Sequence, residues 1–140
     1  MKQYSSLLYA FFLLFAVVTA GCKKDKDTVA PKSTGLVGRW DLYQTSGGIA
    51  GTTTDVATGT SELEFMADST MNVYSKSKVV DTRQYSVRRS TEPGDSPSAK
   101  LIFYIAQGVR YTPQYIELNN DQLTLKDNIA DGFVYRYRRQ

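Results

Sequence analysis

From residue 36 onward apolar and polar positions alternate in several short runs, and nowhere do the apolar ones hold a 3.6-residue period over ten residues. Short runs rich in Val, Ile, Tyr, Phe and Thr alternate with turn clusters, which is the pattern of an antiparallel β meander. The runs are 38–44, 61–66, 70–75, 79–88, 100–106, 114–118, 122–126 and 133–138. Leu63 and Phe65 oppose Glu62 and Glu64, Ile116 and Leu118 oppose Glu117, and Leu123 and Leu125 oppose Thr124 and Lys126. Successive side chains of a pleated strand point to opposite faces, so each of these runs has a dry and a wet side. On that reading Glu62 and Glu64 lie on a solvated outer face.

The connectors carry turn chemistry. Ala67-Asp68-Ser69, Asn119-Asn120-Asp121 and Ala130-Asp131-Gly132 supply residues that tolerate the backbone angles of tight hairpins. Residues 91–98 hold Pro93-Gly94 and Pro97 and form a longer loop, and the Gly- and Thr-rich stretch 46–60 is the longest gap. A chain of hairpins leaves two open edges unless the sheet closes on itself. The expected fold is therefore all-β, an antiparallel up-and-down barrel of eight strands, with a seven-stranded sandwich as the alternative.

The N-terminus follows a different pattern. Lys2 precedes an uncharged apolar run over 7–18, and Thr19-Ala20-Gly21 brings small residues directly before Cys22. This is the layout of a secretory signal. The alternative, a transmembrane helix, would have to span the bilayer with the apolar stretch 7–21, shorter than the roughly 20 residues needed. A charged run, Lys23-Lys24-Asp25-Lys26-Asp27, follows at once. Ala20-Gly21-Cys22 resembles the lipobox of bacterial lipoproteins, with Thr19 where that box usually carries Leu. The resemblance implies acylation of Cys22 and cleavage before it; an ordinary cleaved signal would leave a free thiol instead. More than one acyl chain gives stable membrane residence. The organisation expected is a signal peptide over 1–21, a lipidated Cys and flexible tether over 22–35, and the barrel over 36–140. Lys23 stands where an Asp retains some lipoproteins at the inner membrane, so the expected location is the outer membrane.

Composition narrows the chemistry. The 140 residues suit one domain. There is no His, which removes the usual general base of Ser and Cys hydrolases and the commonest zinc ligand. One Cys allows neither an intramolecular disulfide nor a CxxC redox pair. The formal charge of +3 falls to +2 once Lys2 is removed with the signal, too little for a nucleic-acid surface. No enzyme activity, metal or cofactor is expected, no nucleic-acid partner, and a monomer.

The first strand reads Leu36-Val37-Gly38-Arg39-Trp40-Asp41-Leu42 and the last Phe133-Val134-Tyr135-Arg136-Tyr137-Arg138-Arg139. A Gly-x-Trp opening and an Arg near the end of the last strand resemble the lipocalin-like domain family of bacterial envelope lipoproteins. The resemblance implies that first and last strands pair, with Gly38, Trp40 and Arg138 closing one end as the Arg packs across the Trp. It also implies a barrel mouth that takes a small apolar or amphipathic molecule. Alternation nominates Leu63, Phe65, Tyr85, Val87, Phe103 and Ile116 as inward ligand contacts, under a mobile lid formed by 46–60 with Ile49, Ala50 and Val56. The alternative is a structural or interaction protein whose barrel is filled by those same side chains and which acts on an envelope partner.

Overall fold

The computed structural model describes residues 35–140; the signal segment, Cys22 and the tether up to residue 34 lie outside the described residues. Ten strands follow in order: β1 (Gly38–Gly47), β2 (Thr52–Asp55), β3 (Ser61–Phe65), β4 (Thr70–Ser75), β5 (Lys78–Arg89), β6 (Lys100–Ala106), β7 (Val109–Arg110), β8 (Gln114–Asn119), β9 (Gln122–Asp127) and β10 (Phe133–Arg139). Eight of them form the wall in the order β10-β9-β8-β6-β5-β4-β3-β1, and β10 pairs back onto β1. The result is a closed, antiparallel, up-and-down eight-stranded barrel, as the alternation requires. Closure satisfies the edge groups that an open meander would leave exposed.

The two additional strands are short and local. β2 pairs with the second half of β1, Gln44–Gly47, while β3 pairs with its first half, Gly38–Asp41. β7 folds back on the end of β6 through a turn in which Gln107 and Gly108 both have positive φ. Residues 46–60 are thus a hairpin with its tip at Gly48–Gly51, followed by a bulge over 56–60, and not a lid. Ile49 at the tip is 97% exposed and covers nothing. Val56 alone of the three lid candidates reaches the core, where its backbone N–H also donates to the Tyr43 carbonyl.

One end of the barrel is sealed. Trp40, Phe65, Ile102 and Leu123 are fully buried in the core, as are Met71 and Leu125. Trp40 donates its indole N–H to the Leu36 carbonyl at 2.9 Å, so the incoming chain crosses the base. The guanidinium over the indole belongs to Arg139 and not to Arg138: its central carbon lies 4.2 Å from the ring centroid. Trp40 and Arg139 are register partners, and Leu42 pairs with Tyr137. Arg139 therefore shares the inward face of Tyr137, whereas Arg138 pairs with Asp41 on the outer face. Gly38 supplies the room, since a Cβ there would lie 2.6 Å from Nη1 of Arg139.

The outer face of β1, β3 and β4 is less wet than alternation implies. Glu62 is only 4% exposed. It accepts from Arg39 at 2.6 Å and from the Gln140 side-chain amide. Glu64 accepts from the Tyr74 hydroxyl, and that hydrogen bond raises the Tyr74 pKa. Arg39 in turn lies 4.1 Å over the Tyr74 ring.

Candidate functional site

Of the regions of the barrel that hold space for a small molecule, two draw on the sequence-derived ligand residues. The first is a seam between β6 and β8. These strands share only two register pairs, Leu101↔Tyr115 and Ile102↔Gln114. Toward the sealed end the wall is completed by the 90–99 loop instead of by ladder hydrogen bonds. Ser90 donates its backbone N–H to Ala99 at 2.8 Å, and the Tyr115 hydroxyl donates to Asp95 at 3.1 Å, which docks the loop on β8. Along this seam lie two adjoining cavities of about 460 and 440 Å3, which share Ser98, Lys100, Ile116 and Glu117. Leu36, Val87, Ile116 and Leu118 contribute apolar surface, while Lys100, Lys126, Asp95 and Glu117 are the charged residues of the lining. A partly apolar cleft with a few polar groups is the general form of a ligand site, and either volume exceeds the roughly 300 Å3 at which such sites begin.

The second region is the barrel interior at the end away from Trp40. A cavity of about 230 Å3 is lined there by Ser61, Leu63, Met71, Val73, Arg83, Tyr104, Gln114, Leu125, Tyr135 and Tyr137. No residue of 46–60 lines it. Its polar lining comes from five strands, with β5 supplying the one charged residue, Arg83. Arg83 is the register partner of Met71, a core residue, so it shares the inward face. Nε of Arg83 donates to Asp81 at 2.7 Å, and the guanidinium lies 4.2 Å from the centroid of Tyr111 and 5.8 Å from that of Tyr104. The Tyr104 hydroxyl donates to Gln114 at 3.1 Å, and the Gln114 amide donates to Asp127 at 2.8 Å. Asp127 also accepts the Phe133 backbone N–H at 3.0 Å, which pins the β9–β10 connection. Burial pushes the Tyr104 and Tyr137 hydroxyls well above the ordinary tyrosine pKa, so both are protonated donors at neutral pH.

The sequence-derived ligand residues divide among these places. Leu63 lines the interior cavity, and Val87 and Ile116 line the seam. Phe65 and Tyr85 fill the interior as an edge-to-face pair with centroids 5.1 Å apart, and the Tyr85 hydroxyl is spent on the Met66 carbonyl. Phe103 is not an inward residue. On β6 the buried alternation runs through Ile102, Tyr104 and Ala106, which turns Phe103 outward beneath Arg88, 5.3 Å from its ring. Arg83, Tyr135 and Tyr137, with Ser61, Tyr104 and Gln114, are the polar-tipped lining residues that the apolar-inside rule passes over. Counting by two from Tyr85 along β5 reaches Arg83 and Asp81, so the signal was present in the alternation.

A third polar cluster is a fastening. Asp41, only 1% exposed, accepts the Gly59 backbone N–H at 2.8 Å and pairs with Arg138 at 3.2 Å. Arg138 also donates to the Thr58 hydroxyl, so one carboxylate ties the 56–60 bulge to both terminal strands. Asp41 and Glu62 are register partners, yet each is held by its own arginine, an arrangement suited to fixing strands. Among the described residues no three His, Cys, Asp or Glu side chains converge as metal ligands. Comparison of the chain with protein-family models, with curated proteins and with solved structures gives no match.

Proposed function

We propose that this chain is a cell-envelope lipoprotein of the lipocalin-like kind, anchored by acyl chains on Cys22 and holding a small amphipathic molecule at the β6–β8 seam. The observation that carries the ligand reading is the pair of adjoining cavities with their apolar floor and Lys100 and Lys126 beside it. Two further features support the family resemblance. The closed eight-stranded barrel has its first and last strands paired, and a Gly-x-Trp strand stacks on an arginine of the last strand. The signal-like segment ending in Ala20-Gly21-Cys22 supports the anchor. On this reading the protein is a non-enzymatic monomer of the outer membrane, with the barrel as its working part.

A second reading has an observation of its own. The interior is filled at the sealed end, and Ile49, Val79, Val109 and Ile129 stand exposed near the hairpin tips of the other end. Those tips suit contact with an envelope partner.

Native mass spectrometry of the protein extracted from its own cells tests both. A mature chain starting at an acylated Cys22 and carrying a released small molecule fits the first reading. An acylated chain with no bound molecule, recovered with another protein, favours the second. The Cys22→Ser protein is expected to leave the membrane fraction while keeping its fold; a variant that still sediments with membranes removes the lipoprotein reading.

A further inference from the structure

The interior cavity at the open end is separate from the seam, and its hydrogen-bonding groups are unbalanced. Its acceptors are largely committed. On the lining the Gln114 carbonyl oxygen receives the Tyr104 hydroxyl; outside the lining both oxygens of Asp127 receive N–H donors, and one oxygen of Asp81 receives Nε of Arg83. Its donors are not. The two terminal amino groups of Arg83 make no hydrogen bond to the described residues, and neither do the hydroxyls of Tyr135 and Tyr137.

The orientation of Arg83 is fixed as well. Asp81 holds one edge of the guanidinium and the Tyr111 ring covers a face, which leaves the edge formed by the two terminal nitrogens free. That edge presents two parallel N–H groups, the geometry that receives a carboxylate in bidentate fashion. The rest of the lining is Ser61, Tyr104 and Gln114 together with the apolar Leu63, Met71, Val73 and Leu125. Beyond it stand the exposed apolar side chains near the hairpin tips, Val79, Val109 and Ile129 among them. A volume of about 230 Å3 lies below the roughly 300 Å3 at which drug-sized sites begin, which restricts the ligand to a head group with a short chain.

We propose that this cavity is a binding site for a small amphipathic carboxylate, its head on the free edge of Arg83 and the hydroxyls of Tyr135 and Tyr137, and its short apolar tail directed to the hairpin tips. The site is independent of the seam and of the anchor at Cys22. Asp81 does not oppose this, because its charge is already matched by Arg83 and the ligand meets the opposite edge.

The test uses the protein as extracted from its own cells, titrated calorimetrically with hexanoate and with hexanamide, with a protein-free blank of the same medium subtracted. Hexanoate is expected to bind at least tenfold more tightly than hexanamide. Arg83→Gln is expected to erase that preference, with Trp40 emission at the sealed end reporting that the barrel is intact. Tyr135→Phe removes a single hydroxyl and is expected to weaken hexanoate severalfold, which keeps the test decisive should Arg83→Gln fail to fold. Equal affinity for the two probes overturns the carboxylate assignment while leaving a neutral ligand site, and no binding of either overturns the site altogether. A preference undiminished in Arg83→Gln, or in Tyr135→Phe where that variant alone folds, also overturns it. None of these outcomes bears on a molecule recovered from the seam.

Discussion

Arg139 lies across the indole of Trp40 with its central carbon 4.2 Å from the ring centroid, and its side chain is 6% exposed. The guanidinium donates to the Val37 carbonyl at 3.0 Å and to the Gly35 carbonyl, so the last strand, the first strand and the incoming chain meet on one side chain. A desolvated cation–π contact of this kind is worth up to about 2 kcal/mol, beyond the area that both partners bury. Trp40→Ala is expected to destabilise the barrel by ~3–5 kcal/mol in urea unfolding. Arg139→Lys is expected to lose most of what Arg139→Ala loses, because an ammonium cannot reach both carbonyls and stack as well. A double-mutant cycle giving no coupling between positions 40 and 139 refutes the stack as an energetic feature.

Gly38 tests the same contact from below. Its φ is +135°, a backbone conformation that L side chains rarely adopt, and a Cβ there would lie 2.6 Å from Nη1 of Arg139. Gly38→Ala is therefore expected to cost about 1–3 kcal/mol through strain and displacement of the arginine. Introduced into an Arg139→Ala background the same change is expected to cost less, since the clash has gone while the backbone strain remains. Additive effects in the two backgrounds would place the whole penalty in the backbone.

Asp41 joins the 56–60 bulge to Arg138 across the barrel ends. Asp41→Ala leaves the Gly59 N–H without its acceptor and the arginine without its counter-charge. The expected loss is about 2–3 kcal/mol, below that of a fully buried pair because the Arg138 side chain is 52% exposed. Asp41→Asn keeps an acceptor for Gly59 and is expected to lose less. Hydrogen exchange at the Gly59 amide distinguishes the two: it accelerates strongly in the alanine variant and modestly in the asparagine variant.

Much of the wall was legible because a half-buried strand imprints a period of two on the sequence. The runs at 70–75 and 100–106 coincide with β4 and β6, and the other six lie within one to three residues of the observed ends. β2 left no such imprint: Thr52, Thr53, Thr54 and Asp55 are all exposed, so no apolar face alternates with a polar one. β7 has two residues, both exposed, and only the Gln107-Gly108 pair marks its turn. The stack went to Arg139 because the inward face of β10 is carried by Tyr135 and Tyr137, and counting by two from them selects 139. Arg83 was hidden for a related reason. Inwardness was inferred from apolarity, whereas the open end of this barrel is lined by a charge and by phenols.

The interior tyrosines fix how the barrel responds to alkali. Burial is the main cause that raises the pKa of Tyr104 and of Tyr137; a Tyr137 phenolate would further oppose the ionisation of Tyr104, and a Tyr135 phenolate that of Tyr137. Their folded pKa values thus lie above the unfolded value of about 10. A group raised in this way favours the fold fully below its unfolded pKa, and that contribution falls away as the pH climbs above it, because only the unfolded chain can release the proton. Stability is expected to be level with respect to these two groups up to about pH 10 and to decline beyond it. In a spectrophotometric titration, part of the phenolate absorbance should appear only together with loss of the native Trp40 emission. Tyr137→Phe, whose hydroxyl makes no hydrogen bond to the described residues, is expected to change neutral-pH stability by less than about 1 kcal/mol and to shift the alkaline transition upward. Tyr104→Phe also shifts it upward but leaves the Gln114 carbonyl oxygen unpaired, costing about 1–2 kcal/mol at neutral pH. Tyrosines that all titrate near pH 10 with the fold intact would show that the interior is open to water, contrary to the burial described.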